Sequence, residues 1–254
     1  MSTRQSSETT LRLLAAADEA LIEAGFRTGD FHEALRLGHE AARRAAGEGD
    51  RAAEAAAAVI LGFVLHYRAI NRLMRGQSVE PAQVAAEQEF FRRALALSEE
   101  LGDEVGMARA EFGAGVARQV LHDDWDAAMV HYRRAESLIP ALELAGDLYT
   151  RSEIHRHLGF YHLVEDRQPA QAVEHLRISL DLRERQREPR RVPSGLVALA
   201  WAQREAGEPA QAVRLLRRAV ALAREARLLP DRIADAEREL AQAEAALSAL
   251  EAGH

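Results

Sequence analysis

The stretch GDEVGMARAEFGAG at residues 102–115 has two relatives in the same chain, and these three segments decide the fold. One is GDLYTRSEIHRHLG at 146–159, 44 residues further on, and the other is GDRAAEAAAAVILG at 49–62. A related Leu199-Ala200 pair closes a fourth copy about 41 residues after Gly159. Self-similarity at a period of about 20 to 50 residues is typical of arrays in which each unit buries its apolar face against its neighbours. The sequence therefore predicts a repeat array.

Aspartates and glycines mark the boundaries of the predicted helices. A carboxylate before an apolar periodic run can accept hydrogen bonds from the free N–H groups of a first turn, and glycine suits the left-handed residue that ends a helix. The aspartates are Asp30, Asp50, Asp103 and Asp147, and the glycines are Gly47, Gly76, Gly102 and Gly146. These signals predict eleven helices, at about 8–25, 30–46, 50–75, 81–101, 103–121, 124–139, 147–164, 169–187, 193–206, 209–227 and 230–250. Because the connections are short, sequential helices should lie antiparallel.

The second helix of each predicted pair carries a small–large–small series. Ala128, Tyr132 and Ala135 recur as 172, 176 and 179, and again as 212, 216 and 219. Spacings of four and three keep such residues on one face, where small side chains let two helices approach closely. Together with the glycine of the first helix and the segments GDFHEA (29–34) and GEPAQA (207–212), this series resembles the tetratricopeptide repeat family over residues 30–226.

The resemblance is to the repeats of about 40 residues in bacterial regulatory proteins, and it implies a fold. We expect an all-α, right-handed α-solenoid of about five antiparallel helix pairs, forming a single domain over residues 1–254. Residues 1–8 should be disordered, 9–46 should form an N-terminal pair that caps the array, and 50–227 should hold the repeats. Residues 230–250 should form a C-terminal capping helix, although their stripe of Ile233, Leu240 and Leu247 also allows a seam between two copies.

Composition excludes several functions. The chain has no cysteine, and all 33 of its lysine-plus-arginine residues are arginine, so thiol chemistry, Schiff bases and P-loops are absent. The net charge of −7 disfavours nonspecific binding to nucleic acid. No stretch approaches about 18 uncharged apolar residues, and the first eight residues are polar. We therefore expect a soluble, cytoplasmic protein that neither enters a membrane nor carries a cofactor.

The resemblance also implies a binding surface. In the tetratricopeptide family the first helices line a concave groove, and the residues three before, one after and four after the glycine generally face it. Carried over to this chain, these positions and their neighbours predict a groove floored by aromatic residues. The alternative is that the same aromatics pack between adjacent repeats. The predicted groove residues are Phe63, His66, Tyr67, Arg109, Phe112, Gln119, Glu153, Arg156, Phe160, Trp201 and Arg204.

Other candidate sites are weaker. Glu153 and His157 lie four apart, close to His155 and His162, but no second ligand motif matches them, so we expect no metal site. Nor do we expect a catalytic residue, since Ser194 lacks the strand and turn of a hydrolase serine. The family's clamp for chaperone carboxylates uses lysines and asparagines on this surface, and neither is available here. The arginine-rich segment around Pro189 is interpreted as a solvated loop. The alternative is that it binds phosphate or an acidic partner.

Two classes of function follow from this sequence. The first is a non-enzymatic interaction module, a cytoplasmic adaptor or regulator that binds a protein or peptide partner in the concave groove. The second is a small-molecule receptor or enzyme that closes a pocket on the same superhelix, lined by Phe63, His66, Tyr67, Phe112, Arg156 and Phe160. The segment Gly76–Glu80 or the C-terminal helix would supply the lid of such a pocket. We expect a monomer, or a homodimer that pairs through the C-terminal helix.

Overall fold

The structure is a computed structural model that describes residues 7–252. These residues form helices and connections, with no strand among them. The prediction of disorder at 1–8 falls largely outside the described residues, although Ser7 already caps the first helix. The elements are α1 (Glu8–Glu23), a π-helical turn (Ala24–Thr28), α2 (His32–Glu48), α3 (Arg51–Met74), α4 (Pro81–Leu101), α5 (Glu104–His122), α6 (Trp125–Ser137), α7 (Ile139–Leu144), α8 (Leu148–Val164), α9 (Pro169–Arg185), α10 (Val192–Glu205), α11 (Pro209–Glu225) and α12 (Pro230–Ala252).

Most helix boundaries follow the predicted signals. The predicted Asp103 precedes α5, but its side chain makes no capping hydrogen bond. The carboxylates of the predicted Asp50 and Asp147, and also that of Asp124, each accept a hydrogen bond from a first-turn N–H, with distances of 2.9–3.0 Å. Such a cap satisfies a backbone donor that has no partner inside the helix. One predicted end is wrong: α2 continues through Gly47, and Gly49, with φ of 68°, ends it. The left-handed conformation that stops the helix is therefore adopted two residues later than expected.

The region after α6 also differs from the prediction of one helix at 124–139. Helix α6 ends at Ser137, and Ile139 begins the six-residue helix α7, with Pro140 in its first turn. Proline has no N–H to donate to the carbonyl one turn earlier, and its ring crowds that carbonyl, so a helix cannot run through it undisturbed. The chain instead starts a second helix, where a first-turn proline costs no hydrogen bond.

Each predicted pair of sequential helices packs together: α1 with α2, α3 with α4, α5 with α6, α8 with α9, and α10 with α11. The all-α array of helix pairs is thus confirmed, and its right-handed twist stays a prediction. The chain divides into two compact units, with the boundary between Ala145 and Gly146. Whether they act as one domain over 1–254 also stays a prediction. In the second unit, α12 packs on α11 and α10, with Leu240 and Leu247 against the cluster around Leu216.

Glycines provide the close helix contacts that the repeat pattern predicts. A Cβ atom added to Gly115 would lie 2.5 Å from a ring carbon of Tyr132, and one added to Gly159 would lie 2.7 Å from Leu176. Both partners are the large members of their small–large–small series, and both are buried. The glycine in the first helix therefore leaves the space that the large side chain of the second helix fills.

Helix α3 is long and apolar enough to cross a membrane by length and composition, with a mean hydropathy of 1.4 over its best window. However, 72% of that window is buried inside the protein. The core helix of a soluble protein passes the same test, because it is surrounded by other helices and not by lipid. Packing of α3 against α1, α2, α4 and α5 accounts for its apolar surface.

Candidate functional site

The predicted groove residues divide between the two compact units. The first unit contains Phe63, His66, Tyr67, Arg109, Phe112 and Gln119, and the second contains Glu153, Arg156, Phe160, Trp201 and Arg204. We describe each unit's residues separately.

In the first unit the aromatic residues form a packed column. The ring of Phe63 meets that of Phe91 edge-on at 5.1 Å and stacks on that of Phe112 at 5.8 Å. Phe112 in turn stacks on Tyr132 at 6.1 Å, and all four side chains are buried. The expectation that Phe63 and Phe112 floor an accessible groove is therefore wrong, and packing between helices, the alternative from the sequence, describes both.

The polar residues of the first unit also support the packing. Gln119 accepts a hydrogen bond of 2.6 Å from the hydroxyl of Tyr132, which fixes that ring against α5. His66 lies on α3 with its Nδ1 atom 2.8 Å from a carboxylate oxygen of Glu87 on α4. Glu87 is fully buried and His66 is 4% exposed, so this pair belongs to the interior. Tyr67 and Arg109 are half-buried, and the Tyr67 ring lies 5.5 Å from that of Phe26.

Sequence reasoning missed the contribution of Glu87. A signal existed, because Glu87 occupies the position that is alanine in the other repeats, at Ala128 and Ala172. A charged side chain where the pattern expects a small apolar one needs a partner when it is buried. His66, four residues after Gly62 on the facing helix, provides that partner.

In the second unit, Glu153 is buried, so its predicted place on a groove surface is wrong. It forms an ion pair with the buried Arg183, whose other guanidinium nitrogen donates to the carbonyl of Arg191 and to the hydroxyl of Ser194, both at 2.7 Å. Each partner would be costly to bury alone, and together they satisfy each other. Ser194 thus has a structural role that joins the end of α9 to the start of α10.

This network also corrects the interpretation of the arginine-rich segment as a solvated loop. Arg183 and Arg191 are 3% and 5% exposed, and the guanidinium of Arg191 lies 3.6 Å from the ring centre of Tyr149. Arg190 is paired with Glu188 at 2.7 Å. Much of the positive charge around Pro189 is therefore turned inward or neutralised, which leaves less of it for an outside partner.

The remaining predicted residues of the second unit lie together on partly exposed surface. The rings of Phe160 on α8 and Trp201 on α10 are 6.0 Å apart, and both are half-buried. The guanidinium of Arg156 lies 4.7 Å above the Phe160 ring and donates a 2.8 Å hydrogen bond to the carbonyl of Ser194. Arg204, one turn beyond Trp201, lies 3.4 Å from Glu239 on α12. We call these four residues, Arg156, Phe160, Trp201 and Arg204, the Phe160–Trp201 face.

Three histidines form a cluster elsewhere in the second unit. The Nδ1 atoms of His155 and His175 are 3.1 Å apart, and the ring of His162 stacks on that of His175 at 5.3 Å. Burial, and then the charges of His175 and Arg151, lower the pKa of His155 to about 4. Among residues 7–252, no group of three or more histidine, aspartate or glutamate side chains has a geometry that could hold a metal ion.

One part of the chain matches a known protein family. The sequence model described as Tetratricopeptide repeat matches residues 150–225, which include α9, α10 and α11 and nearly all of α8. Residues 150–225 thus match the tetratricopeptide repeat in sequence. The resemblance drawn from the sequence is thereby confirmed for this stretch, and all four residues of the Phe160–Trp201 face lie within it. Such repeats generally mediate protein–protein interaction and are typically non-enzymatic.

Solved structures show the same fold over more of the chain. The structure is similar to the crystal structure of BtubC (BKLC) from P. vanneervenii, with a TM-score of 0.54 and 19% sequence identity. The similarity covers 85% of this chain and 91% of that chain, so the helical repeat fold extends beyond the matched residues. The search of curated proteins gave no match.

Proposed function

We propose that the chain is a non-enzymatic adaptor or regulator of the cytoplasm, and that it binds a peptide segment of a protein partner on the Phe160–Trp201 face. The observation that carries this proposal is the pair of half-buried aromatic rings on adjacent first helices of a tetratricopeptide stretch, with an arginine stacked on one of them. Phe63 and Phe112 are fully packed in the core, whereas Phe160 and Trp201 keep surface that a partner could cover.

The chemistry of this face favours a particular kind of segment. Aromatic and arginine side chains supply most of the binding energy in many interfaces, because they bury a large area with few rotatable bonds. Arg156 is held in place by the Ser194 carbonyl, so little of its freedom would be lost on binding. Arg204 lies on the same face, which favours a segment with an apolar anchor followed by an acidic residue.

The test is a selection from a displayed library of random peptides on the immobilised protein, followed by affinity measurement for the enriched peptides. The double variant Phe160→Ala, Trp201→Ala should bind these peptides at least about 30-fold more weakly, since truncation of aromatic anchors often costs at least about 2 kcal/mol. Arg204→Glu should weaken the binding of acidic peptides more than that of neutral peptides. A pull-down from the native cytosol, with the same variants, connects the selected peptides to a natural partner.

A matched control separates lost binding from lost folding. Phe90→Ala truncates a half-buried ring on α4, outside the proposed face, and should leave peptide affinity within about twofold. Thermal melts are recorded for each variant. Retained stability with retained affinity in the double variant would place binding elsewhere, and a collapse of its melting temperature would show that both rings act mainly as core.

A further inference from the structure

The first unit contains a cavity of about 420 Å³ between the turn that leads into α2 and the last turns of α3. This volume lies within the range of about 300–1,000 Å³ that is typical of small-molecule sites. Its walls combine apolar, polar and charged side chains. The lining residues are Gly29, Asp30, Phe31, His32, Leu35, Arg68, Asn71, Arg72, Arg75 and Gln77.

Positive charge is concentrated in this cavity, although the whole chain carries a net charge of −7. Arg68 and Arg72 lie one turn apart on the same face of α3, Arg75 directly follows the end of that helix, and all three line the cavity. Asp30 is the one acidic residue among the described residues that line it. The three guanidinium groups and one carboxylate give the cavity lining a formal charge of plus two, histidine not counted.

The contacts of Arg68, Arg72 and Asp30 leave room for a ligand. The Nε atom of Arg72 donates a 2.8 Å hydrogen bond to the carbonyl of Ser78, which holds its guanidinium near the cavity rim. Arg68 has no hydrogen-bond or ion-pair partner within residues 7–252. Asp30 already accepts a 3.0 Å hydrogen bond from the backbone N–H of His32, so its carboxylate is partly occupied at the start of α2. The positive end of the 17-residue helix α2 adds to the same field.

From this arrangement we infer that the cavity binds a small phosphate-bearing molecule. A phosphate monoester carries about −1.5 to −2 charges at pH 7, which the two net positive charges of the lining would balance. Guanidinium groups bind phosphate oxygens in pairs of parallel hydrogen bonds, and Arg68 and Arg72 at one site would give both affinity and orientation. The buried Phe31 and the half-buried Leu35 form an apolar wall for the remainder of such a molecule. This site is separate in sequence and composition from the Phe160–Trp201 face.

The test measures binding of inorganic phosphate and pyrophosphate by isothermal titration calorimetry, at constant ionic strength set with chloride. Arg68→Gln should weaken the binding of both about 10-fold or more, because a hydrogen bond to a charged group is worth about 1.5–3 kcal/mol. Arg72→Gln should weaken it similarly. Since Arg68 is exposed and without a partner in residues 7–252, its replacement should leave the melting temperature unchanged.

The matched control is Arg133→Gln, which removes an exposed arginine on α6, outside the cavity. This variant should bind pyrophosphate within about twofold of the wild type, as should the Phe160→Ala, Trp201→Ala double variant. If Arg133→Gln and Arg68→Gln weaken anion binding equally, the anions are attracted by the general surface charge and not by the cavity, and the proposed site is overturned. Absence of saturable binding by both anions to the wild type would overturn it as well.

Discussion

Replacement of Gly115 by alanine should destabilise the protein, although alanine is the better helix former. The added Cβ would lie 2.5 and 2.7 Å from two ring carbons of Tyr132, against about 3.5–4.0 Å for an ordinary carbon contact. Tyr132 is fully buried, its hydroxyl is hydrogen-bonded to Gln119, and its ring stacks on Phe112. The ring therefore cannot move away without loss of other contacts.

Overpacking of this kind costs typically about 1–3 kcal/mol, and the helix propensity of alanine returns about 1 kcal/mol of that. Because the added Cβ would lie about 1 Å too close to the Tyr132 ring, and the ring is held on two sides, we expect a net loss of stability of about 1–2 kcal/mol. For a chain of this size, each kcal/mol lowers the melting temperature by about 2–4 °C. Urea unfolding followed by circular dichroism measures the same loss as a lower midpoint with an unchanged slope.

The matched control is Gly47→Ala in α2. Apart from its chain neighbours and the backbone of its own helix, no atom of the described residues lies within 4 Å of a Cβ added at Gly47, and this glycine is exposed. The variant should therefore gain about 0.5–1 kcal/mol from reduced freedom of the unfolded chain. The two alanine variants should shift the unfolding midpoint in opposite directions. Equal stabilisation by both would refute the close contact between α5 and α6.

Three further predictions concern local interactions. The pKa of His155 is lowered from 6.5 to about 4, mainly by burial, so at acidic pH the unfolded chain binds a proton at this histidine more readily than the folded chain does. Stability should be full above about pH 6.5 and fall by on the order of 1 kcal/mol, after discount for partial exposure, as the pH drops towards 4. His155→Gln should flatten that pH dependence in melts across this range. Asp147→Ala removes the capping hydrogen bond of α8 and should lower the free energy of unfolding, measured in urea, by about 1 kcal/mol. Asp103→Ala should leave it unchanged, because the Asp103 side chain makes no capping hydrogen bond. Glu87→Ala leaves His66 buried without its partner and should cost about 1–3 kcal/mol, whereas an alanine change at exposed Glu104 should fall within about 0.5 kcal/mol.

The fold could be read from the sequence because its determinants are local and repeated. Gly115 and Gly159 predict close helix contacts from spacing alone, and the structure places Tyr132 and Leu176 against them. The short helix α7 was missed, because the predicted helix at 124–139 ended before Pro140 and no further helix was predicted before residue 147. A proline can start a helix or interrupt one, and the sequence pattern did not distinguish these cases.

The site was less predictable, because exposure depends on which helices pack around a residue. Phe63 and Phe160 occupy corresponding repeat positions, one residue after the glycine, yet Phe63 is buried in an aromatic column and Phe160 is half-buried. The difference arises from their neighbours, since the rings of Phe91 and Phe112 both pack against Phe63. The cavity beside Arg68 joins residues that are about 40 positions apart, and no repeat signal marks such a site.

Fluorescence of Trp201 tests the central claim most directly, namely that a partner binds the Phe160–Trp201 face. The chain has two tryptophans, and Trp125→Phe leaves Trp201 as the sole reporter. Its ring is half-exposed, so a segment that covers it would remove water and shift its emission to shorter wavelength. We predict a blue shift that saturates with the dissociation constant obtained for the same peptide by an independent binding assay. Saturable peptide binding with unchanged Trp201 emission would contradict the claim.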